Sequence, residues 1–282
     1  MNSVRRAKQS VGRALGELGL TRKSAQISSL RRKFLNAPPG STVRYLDYDI
    51  RITDGRSFFI QIKDEFVHEI YRFETDNSRP LIIDGGSNIG VSILYFKRLY
   101  PDARIIGFEP DPSIFQMLNQ NISRNALQGV EVHEVGLGSE SGVTTFVADN
   151  SASGQFGESE NSIQVRVEPL SKYIDGPVDF LKLNIEGQEL AVLRDLEATG
   201  KLRQVREIVI EYHGWARQEQ RLSELLSILD RNGFRYLVHD FDNETGYATK
   251  PPFRLNADAV WFCLVYAKSV LSVAVLAADK HR

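Results

Sequence analysis

The stretch Asp84-Gly85-Gly86-Ser87-Asn88-Ile89-Gly90 ends the apolar run "LIID" and leads into a helical one. Glycines between a strand and a helix let backbone N–H groups come close to a bound ligand. The dinucleotide fingerprint G-x-G-x-x-G fits in neither register. Counted from Gly86 the third position is Asn88; counted from Gly85 the third is Ser87, although Gly90 then fits the sixth. The pattern that does fit is D-x-G-x-x-x-G, with an acid ahead of the glycines. Such an acid repels phosphate and attracts an ammonium or a sulfonium, and S-adenosylmethionine carries both. A second acid, Glu109 in "GFEPD", stands 25 residues after Asp84. In α/β nucleotide folds a carboxylate at that distance takes the ribose hydroxyls, and it can accept from both. Glu109 suits NAD and S-adenosylmethionine alike, so it points to an adenosine ligand without choosing between them.

Further reactive groups fall at the ends of two later apolar runs: Lys182, Asn184 and Glu186 in "LKLNIEGQE", and Glu211 and His213 in "IVIEYHGW". In an open α/β sheet, groups past the carboxyl ends of the strands converge on the ligand. His213 reads as a general base, with Glu186 or Glu211 to orient it, as a structural histidine, or as a substrate-binding group. Glu186 also reads as the acid at a helix N-terminus, where a negative charge is favourable in its own right. Asn184, Glu186 and His213 offer nitrogen and oxygen donors, but nothing in their spacing requires a metal, and none is expected. Trp215 could stack on a sugar face or simply pack. His133 and His239 sit within strand-like runs and read as structural.

The elements that must position these groups alternate from Leu81 onward. Strand-like "LIID", "ARIIGFEP", "VEVHEVGL", "VDFLKLN" and "REIVIEY" are separated by helical runs, and "FRYLVHD" and "ADAVWFCLVYA" close the chain with no helix between them. This order predicts a mainly parallel sheet covered on both faces, with an antiparallel edge. Between residues 142 and 173, "GVTTFVADN" and "NSIQVRV" read as paired strands around the polar loop "SASGQFGESE", either mobile surface or a lid. Ahead of the sheet, "YDIRITDGRSFFIQIK" reads as a β-hairpin turning at Asp54-Gly55, and "DEFVHEIYRF" has helical spacing. The expected organisation is a basic extension over 1–40, a hairpin and helix cap over 41–80, the main domain over 81–267 and a tail over 268–282.

Composition narrows the function classes. The chain has 282 residues with a net charge of −1, yet residues 1–33 hold nine Lys or Arg against one acid, Glu17. The basic arm reads as a solvated extension or as a weak contact with an anionic membrane face. The rest of the chain is correspondingly acidic, which disfavours nucleic acid as a partner. A single cysteine, Cys263, excludes a disulfide framework. No apolar run reaches the roughly 18 to 20 residues of a membrane span, and the N-terminus has no apolar signal centre, so a cytoplasmic setting is expected.

Taken together, "IIDGGSNIG", "GFEPDP", "LNQNISRN", "VGLGSESG", "LKLNIEGQE" and "IVIEYH" resemble, in order and spacing, the motif series of FkbM-type S-adenosylmethionine-dependent methyltransferases over about residues 42 to 266. The resemblance implies the class I methyltransferase fold, with seven strands in a Rossmann-like sheet. It places Asp84, Gly86, Ser87, Asn88 and Gly90 around the methionine part of the cofactor; Gly85 and Asn184 are further candidate cofactor contacts. It puts Glu109 on ribose with Pro110 and Asp111 shaping that edge, and Leu137, Gly138 and Ser139 near adenine. The candidate catalytic set, read from the strand ends, is His213, Glu186, Glu211 and Lys182. One departure stands out: the fourth-strand motif often carries an aspartate where this chain has Asn184. Since some members methylate hydroxyls of sugars or polyketides, the expected function is O-methyl transfer to a hydroxyl, foremost on a sugar in a glycan or glycoconjugate. A lipid or polyketide hydroxyl is the nearest alternative; a nicotinamide-dependent oxidoreductase and a silent cofactor-binding module are the more distant ones.

Overall fold

The computed structural model describes residues 21–147, 155–156, 162–215, 218–239 and 260–270. In chain order the elements are helix α1 (21–34), strands β1 (Thr42–Tyr45) and β2 (Tyr48–Arg51), helix α2 (Gly55–Ile62) running into a π-helical turn (Lys63–Val67), then β3 (Leu81–Gly85), α3 (Val91–Leu99), β4 (Arg104–Phe108), α4 (Pro112–Arg124) and β5 (Val130–His133). There follow β6 (Gly136–Gly138), β7 (Gly142–Val147), β8 (Gln155–Phe156), β9 (Ser162–Pro169), β10 (Val178–Leu183), α5 (Glu189–Ala198), β11 (Val205–Trp215), α6 (Leu222–Arg231), β12 (Phe234–His239) and β13 (Val260–Ser269).

Seven strands form the main sheet in the order β12-β13-β11-β10-β3-β4-β5. Strands β3, β4, β5, β10 and β11 run parallel, and β13 enters antiparallel between β11 and β12. This is the class I methyltransferase arrangement, with the order reversing at β3. Successive strand residues point to opposite faces. Ile82, Ile105, Phe180 and Val209 pack on one side with Ile93 and Phe96 of α3 and Leu118 of α4. Their neighbours Ile83, Ile106, Leu181 and Ile208 pack on the other with Val192 and Leu196 of α5 and Leu225 and Leu229 of α6. A sheet buried on both faces needs near-continuous apolar strands, and the sequence supplies them.

Four expectations change. The hairpin turns at Leu46 and Asp47, between β1 and β2, and not at Asp54-Gly55. Asp54 instead caps α2, its carboxylate accepting from the Ser57 N–H at 2.8 Å. Gly55 is needed because a Cβ there would lie 2.2 Å from the Phe34 carbonyl oxygen. The run "SFFIQI" is then read at helical spacing, burying Phe58, Phe59 and Ile62. Second, "VEVHEVGL" is two strands: β5 belongs to the main sheet, whereas β6 joins a second sheet of order β6-β9-β7-β8. Within that sheet β7 and β9 pair antiparallel. Third, the packed body begins inside the basic extension, not at residue 41. Leu30 and Phe34 of α1 are buried in one cluster with Tyr45, Ile52 and Phe58, and that cluster also takes Ile89, Val91 and Leu94 from the main domain. Asn121 and Asn125 of "LNQNISRN" complete the union by hydrogen-bonding the β2 backbone at Arg51 and Asp49. Fourth, β13 continues to Ser269, past the expected end of the domain at 267. Residues 1–20, most of the loop "SASGQFGESE" and residues 271–282 lie outside the described residues. Among the described residues, no helix is long and apolar enough to cross a membrane.

Candidate active site

A cavity of about 310 Å³ opens beyond the carboxyl ends of β3, β4, β10 and β11, at the point where strand order reverses. Its floor is the glycine loop. Gly86 has φ 79°, and a Cβ on it would lie 1.8 Å from the Asn184 carbonyl oxygen, so only glycine fits there. Four N–H groups of this loop are spent within the protein. Gly86 and Ser87 both donate to the Phe108 carbonyl at 3.1 and 2.9 Å, Asn88 donates to Glu109 Oε2 at 3.0 Å, and Gly90 donates to the Ser87 carbonyl at 2.8 Å. A pyrophosphate would need those donors free.

Glu109 is buried at the end of β4, and both of its oxygens are held by backbone, Oε2 by the Asn88 N–H and Oε1 by the Asp111 N–H at 2.9 Å. Each oxygen keeps a further lone pair for a ligand hydroxyl. Burial pushes its pKa up to about 7, against the opposing pull of those backbone donors. Pro110 and Asp111 also line the cavity, and Asp111 caps α4 by accepting from the Ser113 N–H. Apolar walls beside them come from Phe108, Ile114, Val135, Leu137 and Phe146.

The opposite wall is acidic and lies on β10 and β11. Glu211 Oε2 accepts from the Tyr71 hydroxyl at 3.2 Å and from Asn184 Nδ2 at 3.0 Å. This explains the asparagine at 184: an aspartate would set a second carboxylate against Glu211. His213 Nε2 lies 3.5 Å from Glu186 Oε2 and 4.0 Å from Glu211 Oε1, while Nδ1 lies 4.0 Å from Glu189 Oε1. The ring of Phe262 covers the imidazole at 5.8 Å between centroids. Glu186 has φ 53°, a left-handed conformation uncommon outside glycine, followed by Gly187 at φ 100°. The buried Glu189 carboxylate holds this turn, accepting from Ile185 N–H at 3.0 Å and from Gly187 N–H. Burial raises the pKa of Glu189 while His213 opposes the shift. Backbone strain kept in place at a cavity wall is a mark of functional sites.

The cavity thus collects Gly86, Ser87, Asn88, Glu109, Pro110, Asp111, Leu137, Lys182, Asn184, Glu186, Glu211 and His213 of the residues expected from sequence. Others are corrected. Asp84 does not line it: fully buried beneath the loop, it pairs with Lys182 Nζ at 2.8 Å and accepts from Ser92 Oγ at 2.6 Å, so its charge does not face a ligand. Lys182 also donates to the carbonyls of Gly85 and Gly86, so it clamps the loop from the cavity side. Gly85 and Gly90 stand off the cavity because they make room for packing, Gly85 against Leu183 and Leu137, Gly90 against Leu118. Gly138 likewise faces Val167, and Ser139 is exposed where the chain has already left for the second sheet. Glu189, not Glu186, opens α5. His133 packs against Phe108 and Tyr173, His239 is exposed at the end of β12, and the Trp215 side chain lies outside the described residues. Sequence reasoning missed Gln61, Lys63, Asp64, Glu65 and Tyr71, which reach the cavity from α2, the π-helical turn and the coil after it. The only signal was a cluster of charged residues in a segment that has to pack. Among the described residues, no cluster of histidine, cysteine and acidic residues is arranged to hold a metal ion.

The model of the methyltransferase FkbM domain matches residues 84–236. "Methyltransferase 1" of Beauveria bassiana is 30% identical over 186 residues, covering 52% of this chain and 75% of that protein. "Methyltransferase sdnD" of Sordaria araneosa is 31% identical over 189 residues, covering 53% of this chain and 72% of that protein. Among solved structures, methyltransferase FkbM from Methylobacillus flagellatus KT aligns with a TM-score of 0.46 at 17% identity, over 87% of this chain and 59% of its own.

Proposed function

Because the chain belongs to the FkbM methyltransferase family, we propose that it moves a methyl group from S-adenosylmethionine to a hydroxyl oxygen, foremost one on a sugar of a glycan or glycoconjugate. The residues present suit that cofactor. Glu109 keeps lone pairs for a ribose diol, the glycine loop offers closeness without free phosphate donors, and the acidic wall favours a cationic ligand. When bound, S-adenosylmethionine would supply an electrophilic methyl group. Gly86 and Glu109 would hold and orient the adenosyl part, and the apolar walls would exclude water.

The observation that carries the choice of a hydroxyl is His213, set on the cavity wall between Glu186, Glu211 and Glu189. A hydroxyl is a poor nucleophile at neutral pH and needs its proton taken as the new bond forms. The imidazole takes it at Nε2, the nitrogen nearer Glu186 and Glu211, and the three carboxylates stabilise the imidazolium that results. Carboxylates also accept from sugar hydroxyls in pairs, whereas they repel the phosphates of nucleic acid.

The test is His213→Ala and His213→Gln in the full-length protein. Turnover of labelled methyl donor on a panel of glycans, nucleotide sugars and hydroxylated lipids is expected to fall roughly 100-fold or more while S-adenosylhomocysteine binding stays near wild type. Unchanged turnover removes His213 as base. Acceptance of lipids alone moves the acceptor to the alternative class, and selective binding of NAD in place of S-adenosylhomocysteine removes the cofactor reading altogether.

A further inference from the structure

We propose that Glu65, on the π-helical turn that precedes the family-matched region, is the counter-ion for the α-ammonium of the methionine half of the cofactor. The inference rests on the S-adenosylmethionine reading and assigns the charge that Asp84 was expected to supply. Among the described residues, the other acids placed near this end of the cavity have work elsewhere. Asp84 is paired with Lys182, Asp64 lies 3.5 Å from Lys63 Nζ, Glu211 Oε2 is taken by Tyr71 and Asn184, and Glu186 stands beside His213. Glu109 and Asp111 are tied to backbone at the end of β4 and the start of α4.

Glu65 differs from all of these. It lines the cavity, is only 7% exposed, and its buried Oε2 has no hydrogen-bond partner. A buried carboxylate without a partner is costly, and burial drives the Glu65 pKa well above the usual carboxylate range. The charged groups acting on it are Lys182, Asp84, Asp64 and Glu211. The one cation among them, Lys182, is already committed to Asp84 and to two loop carbonyls. Asn184 adds a second acceptor, because Glu211 holds its Nδ2 and leaves a buried Oδ1 with no partner.

Placement agrees with chemistry. Glu109 marks the ribose at the end of β4, and Asn184 and Glu211 mark the ends of β10 and β11, two and three strands away. At about 4.8 Å per strand this is roughly 10 to 14 Å, which separates a hydroxyl-binding end of the cavity from a cation-binding end. Glu65 lines the cavity together with Tyr71, whose hydroxyl donates to Glu211 and whose ring lies 5.3 Å from Lys182 Nζ.

Glu65→Gln in the full-length protein tests this by calorimetry with three probes. They are S-adenosylhomocysteine, its analogue lacking only the α-amino group, and 5′-methylthioadenosine, which lacks the whole amino acid. The substitution should weaken S-adenosylhomocysteine about 10- to 100-fold, the range of a hydrogen bond to a charged group, and leave the other two within about twofold. The unliganded variant should unfold at or above the wild-type temperature, because an unpaired buried carboxyl has been replaced by a neutral isostere. Equal weakening of all three probes, no weakening of any, or a clear loss of thermal stability overturns the proposal. If wild type binds 5′-methylthioadenosine but discriminates neither for nor against the amino group, Glu65 loses its role while the adenosine site stands. If wild type binds none of the three, the cofactor reading fails and takes this inference with it.

Discussion

Glu109 would give the proposed adenosine site a dependence on pH whose sign follows from its burial. Its pKa stands at about 7 in the unliganded protein, against 4.5 for an ordinary glutamate, because burial outweighs the two backbone N–H groups that it accepts. Ribose hydroxyls donate to the ionised form, so binding must drive off whatever proton is present. For a free-site pKa of about 7, the apparent dissociation constant scales as one plus the ratio of protonated to ionised carboxyl. That factor is about 11 near pH 6 and about 1.1 near pH 8, so affinity should rise roughly tenfold, or about 1.4 kcal/mol, across the interval. The assay is calorimetric titration with 5′-methylthioadenosine, which leaves Glu65 and the amino-acid end of the cavity out of the measurement. In Glu109→Gln the slope should vanish. The variant also turns an amide N–H₂ towards one of two backbone donors, at Asn88 or Asp111, so it should lose about 1 to 3 kcal/mol of stability and bind weakly at every pH.

The same shift has a consequence for the unliganded protein, of definite sign. A group whose pKa is raised by folding stabilises the folded state fully below its unfolded pKa and loses that contribution as pH rises through the folded one. Here the window runs from 4.5 to about 7. Its full span is worth roughly 3 kcal/mol, to be read as the difference between wild type and Glu109→Gln in chemical unfolding. A wild-type affinity for 5′-methylthioadenosine that is flat between about pH 6 and pH 8, or a Gln variant that keeps the tenfold slope, would refute the assignment of Glu109 to ribose.

Two further substitutions separate support from chemistry. Lys182→Met strands the carboxylate of Asp84, which is fully buried, and removes the donor to two loop carbonyls, so urea unfolding should show a loss of about 3 to 5 kcal/mol. Adding Asp84→Asn should recover part of it; a stable Lys182→Met protein that binds S-adenosylhomocysteine but does not turn over would return Lys182 to the catalytic set. Phe34→Ala removes a side chain that is 1% exposed and meets Phe58 edge to face at 5.1 Å, so it should cost about 3 to 5 kcal/mol despite lying in the basic extension. A loss under about 1 kcal/mol would restore the domain boundary at residue 40.

What the sequence made legible was local. A strand, a glycine turn and a helix are written consecutively in "LIIDGGSNIGVSILYF", and the spacing to Glu109 follows from one βαβ unit, so both were found by counting. Apolar runs likewise marked the strands of the main sheet along the chain and its mainly parallel sense. The errors came where the answer depends on a distant residue. Asp54-Gly55 has the letters of a hairpin turn, but the need for glycine there is set by Phe34 and Ala37, packed from the preceding helix. "VEVHEVGL" carries one unbroken strand pattern although its two halves pair with different partners, β4 and β9.

The charge of Asp84 shows the limit most sharply. Read beside its glycines, it was an acid waiting for a cationic ligand. In the fold it is cancelled by Lys182, 98 positions along the chain on the adjacent strand, and the acid left without a partner is Glu65, in a segment whose sequence reads only as charged and helical. Whether a carboxylate serves the protein or its ligand is decided by what remains after its neighbours are paired. That remainder is a property of the packed structure, and in this cavity it selects a ligand that brings positive charge to the ends of β3 and β10.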